Sequence, residues 1–243
     1  SGQPDPCSYM VVQTYEVRER TLVIEEYTGD EPNNGLIKKF TFAELGISSD
    51  DEVDDLFITR TFALGTDRFG RDMLSRMIIG SRVSLSVGLI AVSISLLIGI
   101  LFGSMAGFFR GWVDNVVMWF VTVVWSIPLL LLVIAITLAM GKGLWQVFIA
   151  VGLAMWVEVA RIVRGQIMSI REKEFVEASR ALGFSTFRTI TRHILTNIMG
   201  PIIVISAANF AAAILIEAGL SFLGIGAQPP MPSWGSMIKD HYG

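Results

Sequence analysis

Apolar and polar positions alternate in short runs at the start of the chain and then give way to long apolar stretches. Tyr9 to Tyr15, Thr21 to Tyr27 and Leu36 to Phe42 alternate with period 2 and are rich in β-branched and aromatic residues, which predicts short strands. The turn signal Gly29-Asp30-Glu31-Pro32-Asn33-Asn34-Gly35 lies between the last two, and an acidic run from Asp50 to Asp55 closes the segment. Residues 1–63 are expected to form a small, acidic, β-rich region facing water.

Beyond it, Leu85 to Phe109 and Val116 to Met140 each run for 25 residues without a charge. At about 1.5 Å per residue, such a helix crosses a bilayer core of about 30 Å with some tilt, so both are predicted to be transmembrane helices. A third span, about 143–165, is apolar from Gly143 to Val157 and then carries Glu158, Arg161 and Arg164, charges that belong at the interface where the helix leaves the membrane. A fourth, about 198–224, is charge-free from Ile198 to Ile216 and continues past Glu217 through Phe222 and Leu223. The predicted fold class is an all-α polytopic membrane protein, with the membrane-spanning part at 64–243 and the β-rich region before it.

Composition strengthens the membrane reading: 52% of the 243 residues are hydrophobic and 17% are charged, against about 25% charged in soluble domains. The net charge of −3 conceals an asymmetry, because residues 1–63 hold 13 acidic and 5 basic groups while 64–243 hold 9 and 14. Lysine and arginine concentrate between the third and fourth spans, at Arg161, Arg164, Arg171, Lys173, Arg180, Arg188 and Arg192, which orients that connection toward the cytoplasm. Counting back through the spans puts Arg110 to Asp114 in the cytoplasm and both Gly141 to Gly143 and residues 1–84 outside. Arg68, Arg71, Arg76 and Arg82 run against this orientation, with Asp67 and Asp72 partly balancing them.

Several chemistries are missing from the sequence. No Gly-x4-Gly-Lys-Ser/Thr phosphate loop occurs, and Gly141-Lys142-Gly143 is too short to cradle phosphate. Cys7 is the single cysteine, and His193 and His241 fall in different connections, so neither a catalytic residue nor a metal site nor a cofactor is expected. The chain is read as non-enzymatic by itself. The start, Ser1 to Met10, has neither an initiator Met nor the basic and apolar regions of a signal peptide, which suggests a piece of a longer protein.

One connection carries a motif. Glu174-Phe175-Val176-Glu177-Ala178-Ser179-Arg180-Ala181-Leu182-Gly183, followed by His193-Ile194-Leu195-Thr196-Asn197, resembles the EAA loop of ABC-importer permeases, with Ser179 in place of the second Ala and Thr196 where Pro is usual. Phe175, Ala178 and Leu182 share one face of a short helix, and Gly183 suits a left-handed cap. Two further stretches narrow the resemblance. Gly65 to Arg76 with Gly80-Ser81-Arg82-Val83-Ser84-Leu85, and Glu217 to Gly224 with Pro229 to Gly235, are similar to C-type permeases of the dipeptide, oligopeptide and nickel family.

The resemblance implies a six-span subunit of a type I importer, of which this chain holds four spans without the first and last. It further implies a second permease subunit, two ATP-binding cassette subunits, an extracytoplasmic solute-binding protein, and a location in the bacterial inner membrane among lipid. ATP hydrolysis would fall to the partners. Coupling to the ATPase would fall to Glu177, Ala178, Ser179 and Gly183. Without the resemblance, the same helix reads as one lying on the membrane surface.

Other candidates come from the residues themselves. Thr66 or Asp67 is placed to cap an interfacial helix with Phe69, Met73, Leu74 and Met77 on one side, and Asp67, Arg71 and Asp72 are candidates for docking the binding protein or gating the outer face. Glu217 is an acid embedded in the fourth span, so it and Asn209 are candidates to line a pathway, with a structural hydrogen-bonding group as the competing reading. Ser206, Ala207, Ala208 and Ala211 to Ala213 allow close helix packing. The expected solute is a di- or oligopeptide, with nickel or a glutathione-type solute as the alternative. A ligand-binding receptor or sensor, and a transporter or channel acting alone, are the competing functions.

Overall fold

The computed structural model describes residues 10–26, 35–58, 61–67, 70–141, 143–227 and 231–241. Residues 29–34 of the expected turn, Arg68, Phe69, Pro229 and Pro230 lie outside the described residues. The chain divides into two compact units, essentially residues 1–78 and 79–242.

The first unit is an antiparallel meander of β1 (Val12–Arg18), β2 (Thr21–Glu26) and β3 (Ile37–Thr41), in that order. Arg18 pairs with Thr21 across a two-residue turn, and Glu19 and Arg20 adopt φ of 46° and 58° there, the left-handed pair that suits the twist of a tight hairpin. The alternation in β2 sends Leu22 and Ile24 inward to meet Phe42 and Val53. Helix α1 (Phe42–Leu45) starts on a reciprocal cap between Thr41 and Glu44. The acidic run beyond it forms two short 3-10 turns, Asp50–Glu52 and Asp54–Leu56.

Helix α2 (Met73–Phe109) runs for 37 residues without a break. This corrects two expectations about its start. Among the described residues no separate interfacial helix precedes the span, and the cap is neither Thr66 nor Asp67: the Asp72 carboxylate accepts from the Leu74 and Ser75 backbone amides at 3.1 and 3.3 Å.

The second unit continues with α3 (Gly111–Trp125), α4 (Leu129–Met140), α5 (Leu144–Ile170), α6 (Glu174–Ala181), α7 (Thr186–Arg188), a π-helical turn (Thr189–Ile194), α8 (Leu195–Asn197), α9 (Met199–Phe222) and α10 (Trp234–Asp240). Helices α2, α5 and α9 are each long and apolar enough to cross a membrane. The predicted single span at 116–140 is instead two helices, α3 and α4, meeting at 89°. Pro128 has no amide to continue the ladder and restricts Ile127 before it, while the Ser126 hydroxyl folds back onto the Val123 carbonyl at 2.7 Å. With 15 and 12 residues, neither helix alone covers a core of about 30 Å.

Between lipid-exposed helices there is little hydrophobic drive to associate, so close van der Waals packing must hold them. Gly99, Gly103 and Gly107 of α2 supply it: a Cβ at Gly103 would sit 2.6 Å from the Ala160 carbonyl oxygen, and one at Gly99 would sit 2.5 Å from Val159. The α2–α5 seam therefore depends on hydrogen atoms at these positions. Around it, Val163, Ile167, Ile194, Ile198 and Ile202 close one apolar cluster with Phe108, and Val133, Val147, Val151 and Ala213 close another.

Candidate coupling surface and its anchoring

Helix α6 follows α5 after a short turn and is tied down on one side. Val176 is fully enclosed, packed with Phe108, Ile167 and Ile194 from α2, α5 and the π turn. Ser179, also buried, donates to the Val176 carbonyl at 2.7 Å and lies 3.3 Å from the Thr189 hydroxyl. The substitution of a hydroxyl for the usual methyl thus adds a polar tie between α6 and the π turn.

The helix ends as its sequence predicts. Gly183 adopts φ 77°, its amide bonds the Arg180 carbonyl at 2.9 Å, and the Phe184 amide bonds the Ser179 carbonyl at 3.1 Å, which together make the paired bonds of a Schellman cap. No atom lies within 4 Å of a Cβ built on Gly183, so glycine is required there by conformation alone. The chain then turns back: Phe184 stacks on His193 with centroids 5.6 Å apart, and the Arg188 guanidinium lies over the Phe184 ring at 4.4 Å. Two residues after Thr196, Ile198 has φ and ψ of −104° and 11° and separates α8 from α9.

The opposite side of α6 is uncovered. Phe175, Glu177, Ala178 and Gly183 are exposed, Leu182 and Phe187 are 71% and 78% exposed, and together they present apolar groups around one carboxylate. The anchor Val176 and Phe187, which lies in α7, were not among the sequence candidates; the alternation of Val176 with Phe175 along α6 carried a signal for the first, and nothing in α6 pointed to the second. Ion pairs brace the surrounding turns. Arg164 holds Asp114 through two bonds of 2.5 and 2.6 Å, linking α5 to α3, and Arg110 pairs with Glu172 at 2.6 Å. Arg171 donates to the Phe108 carbonyl, and burial, helped by the neighbouring Arg110 and Arg180 charges, pulls its guanidinium below the usual arginine value.

The remaining candidates fall elsewhere. Glu217 in α9 is fully enclosed, accepting from Ser221 at 2.6 Å and from Ser84 of α2 at 3.1 Å. Ser84 also accepts weakly from the Trp234 amide at 3.4 Å, and Ser221 accepts from the Ala227 amide at 2.9 Å, so one carboxylate ties α2, α9 and the start of α10. Asn209 is buried in α9, and its side-chain amide nitrogen has no partner among the described residues. In the first unit, Asp67 is enclosed and accepts from the Arg71 amide at 2.9 Å and its guanidinium at 2.6 Å, with Arg76 at 3.6 Å. Arg71 is exposed and Asp72 partly so.

Three helices long and apolar enough to cross a membrane, a sharply broken helix pair and a short, half-anchored helix between α5 and α9 make up the permease fold of type I ABC importers. A solved chain of the MetNI methionine ABC transporter in an inward-facing conformation shares that fold, with a TM-score of 0.60 at 17% identity over 70% of this chain and 82% of that one. The chain belongs to the family of binding-protein-dependent transport system inner membrane components, whose model matches residues 99–243. Similar proteins include the dipeptide transport permease DppC of Bacillus subtilis, 44% identical over 72% of this chain and 55% of that protein, and the oligopeptide permease OppC of the same organism, 41% identical over 72% and 58%. The glutathione permease GsiD of Pectobacterium atrosepticum is 37% identical over 73% and 59%. The chain spans little more than half the length of these relatives.

Proposed function

We propose that the chain is part of a permease subunit that carries di- or oligopeptides across the inner membrane, driven by ATP-binding subunits that dock on α6. The observation that carries this reading is the two-sided character of α6. Val176 and Ser179 fix it to the ends of α2, α5 and the π turn, while Phe175, Glu177, Ala178, Leu182 and Phe187 face outward. A helix built this way passes a push at its outer face to several spans at once.

Within this reading Glu177, Ala178 and Leu182 touch the ATPase, and Ser179 and Gly183 hold the helix in shape. A second permease subunit completes the pathway, and the exposed Ala207, Ala208 and Ala211 of α9 suit close approach to it. Residues 1–84 lie outside, where Arg71 and Asp72 are available to a solute-binding protein and Asp67 shapes the loop that presents them. The 37% identity to a glutathione permease supports glutathione-like peptides as the second solute class.

The test uses the full-length subunit in its native complex, reconstituted with the binding protein. Glu177→Ala and Gly183→Val are expected to abolish ATP-driven uptake of trialanine while the complex still inserts and hydrolyses ATP. Uptake at the wild-type rate by both variants would overturn the coupling role of α6.

A further inference from the structure

Glu158 is an acid in the interior of a membrane-crossing helix. At about 1.5 Å per residue it lies about 21 Å from the start of α5 and about 18 Å from its end, in the interior of the helix and three residues before Arg161, where the charged end of the helix begins. Its side chain is exposed, and among the described residues it has no hydrogen bond and no ion pair. Arg161, one turn along, makes no ion pair with it: its guanidinium carbon stands 3.8 Å from the centre of the Trp125 ring. Where an apolar helix runs inside the membrane, an unpaired carboxylate is costly unless it faces water or an outside partner.

A second, independent feature meets it. Glu158 lines a cavity of about 150 Å³ together with Trp125, Ile127, Pro128, Leu129 and Met155. The cavity is formed where α3 breaks from α4, and non-helical backbone at membrane depth is tolerated where protein or a water-filled cavity covers it. The Pro128 break thus opens a hollow on α5, and the one ionisable group in that hollow is a free carboxylate.

We propose that Glu158 and the hollow at the α3–α4 break form a subsite for a positively charged group of the solute in transit, an ammonium such as the protonated amino terminus of a peptide. The hollow accepts the adjoining apolar part through Leu129, Ile127 and Met155, and the carboxylate supplies the single charge that orients it. This subsite rests on the permease reading above. Because the Trp125 ring is occupied by Arg161 on one face, recognition falls to the carboxylate rather than to the ring.

The test places a cysteine in the hollow of the full-length complex, Leu129→Cys or Leu132→Cys, in a background lacking other reactive cysteines. Its rates of reaction with a cationic trimethylammonium-ethyl thiosulfonate and an anionic sulfonato-ethyl thiosulfonate of similar size are compared in membrane vesicles, with Glu158 intact and as Glu158→Gln. The expected result is a preference for the cationic reagent that falls about tenfold in Glu158→Gln and returns in Glu158→Asp. An unchanged preference would overturn the subsite. So would cysteines unreactive in every nucleotide state, which would assign the carboxylate to a cation on a neighbouring subunit. ATP-driven trialanine uptake by the unmodified complex is measured in parallel, so failure of the permease reading is seen separately from failure of the subsite.

Discussion

Glu217 and Glu158 are both carboxylates inside membrane-crossing helices, and the fold treats them in opposite ways. Glu217 is fully enclosed, with two serine hydroxyls donating to it and a third helix tied in through Ser84. Glu158 is exposed beside a helix break with no partner among the described residues. An embedded acid that the chain satisfies for itself is part of the architecture; one that it leaves unsatisfied is kept for a group that comes from outside. Position in the span does not separate the two, since both lie in apolar helices, but their partners do.

The contrast is broken most directly by removing each carboxylate. Glu217→Ala leaves two buried hydroxyls without their acceptor and a void, which is expected to cost about 2–4 kcal/mol; Glu158→Ala should stay within about 0.5 kcal/mol, as for an exposed site without partners. Thermal unfolding of the purified complex in mild detergent measures both, and equal losses would erase the distinction. The seam that carries Glu158's helix is the next largest effect. Gly103→Val drives a side chain into the Ala160 carbonyl and Val163, with an expected cost of about 2 kcal/mol from overpacking, read in the same unfolding experiment.

Gly183→Ala is expected to cost about 1–2 kcal/mol through its left-handed conformation alone, because nothing crowds the position. Loss of protection at the amides of Gly183 and Phe184 in hydrogen exchange checks it. The smallest effect lies in the first unit. The backbone amide and hydroxyl of Thr41 hold the Glu44 carboxyl below its ordinary value. A lowered folded-state pKa means that the cap's contribution is present above the unfolded-state value and is lost as pH falls through the folded-state value. Exchange protection of residues 42–45, corrected for intrinsic rate, should therefore drop in acid in the wild type and show no such step in Glu44→Gln.

Much of this was legible in the residues. The alternation in Thr21 to Glu26 placed β2, and the charge-free runs fall largely within α2, α5 and α9, although α2 begins 12 residues before Leu85 and α5 continues 13 residues past Val157. The outward face of α6 was written in Phe175, Ala178 and Leu182, and its stop in Gly183. The α3–α4 break was missed because a run of 25 apolar residues was judged by hydropathy, which is blind to the missing amide of Pro128 and the hydroxyl of Ser126. The Gly99, Gly103 and Gly107 spacing was equally readable as a close-packing seam. The enclosure of Glu217 was not, since its partner Ser84 lies 133 residues away and only the fold brings them together. Asp67 likewise looks like a cap in sequence, and becomes the centre of its loop once Arg71 and Arg76 converge on it.

The most direct test of α6 as the docking helix is co-purification of ATP-binding subunits with the full-length protein from native membranes, compared between wild type and the outward-face variant Leu182→Asp/Phe187→Asp. ATP-binding subunits are expected to accompany the wild type and to fall at least tenfold in the variant, while the second permease subunit stays bound. Wild-type protein recovered without any ATPase, or full retention of the ATPase by the variant, would contradict it.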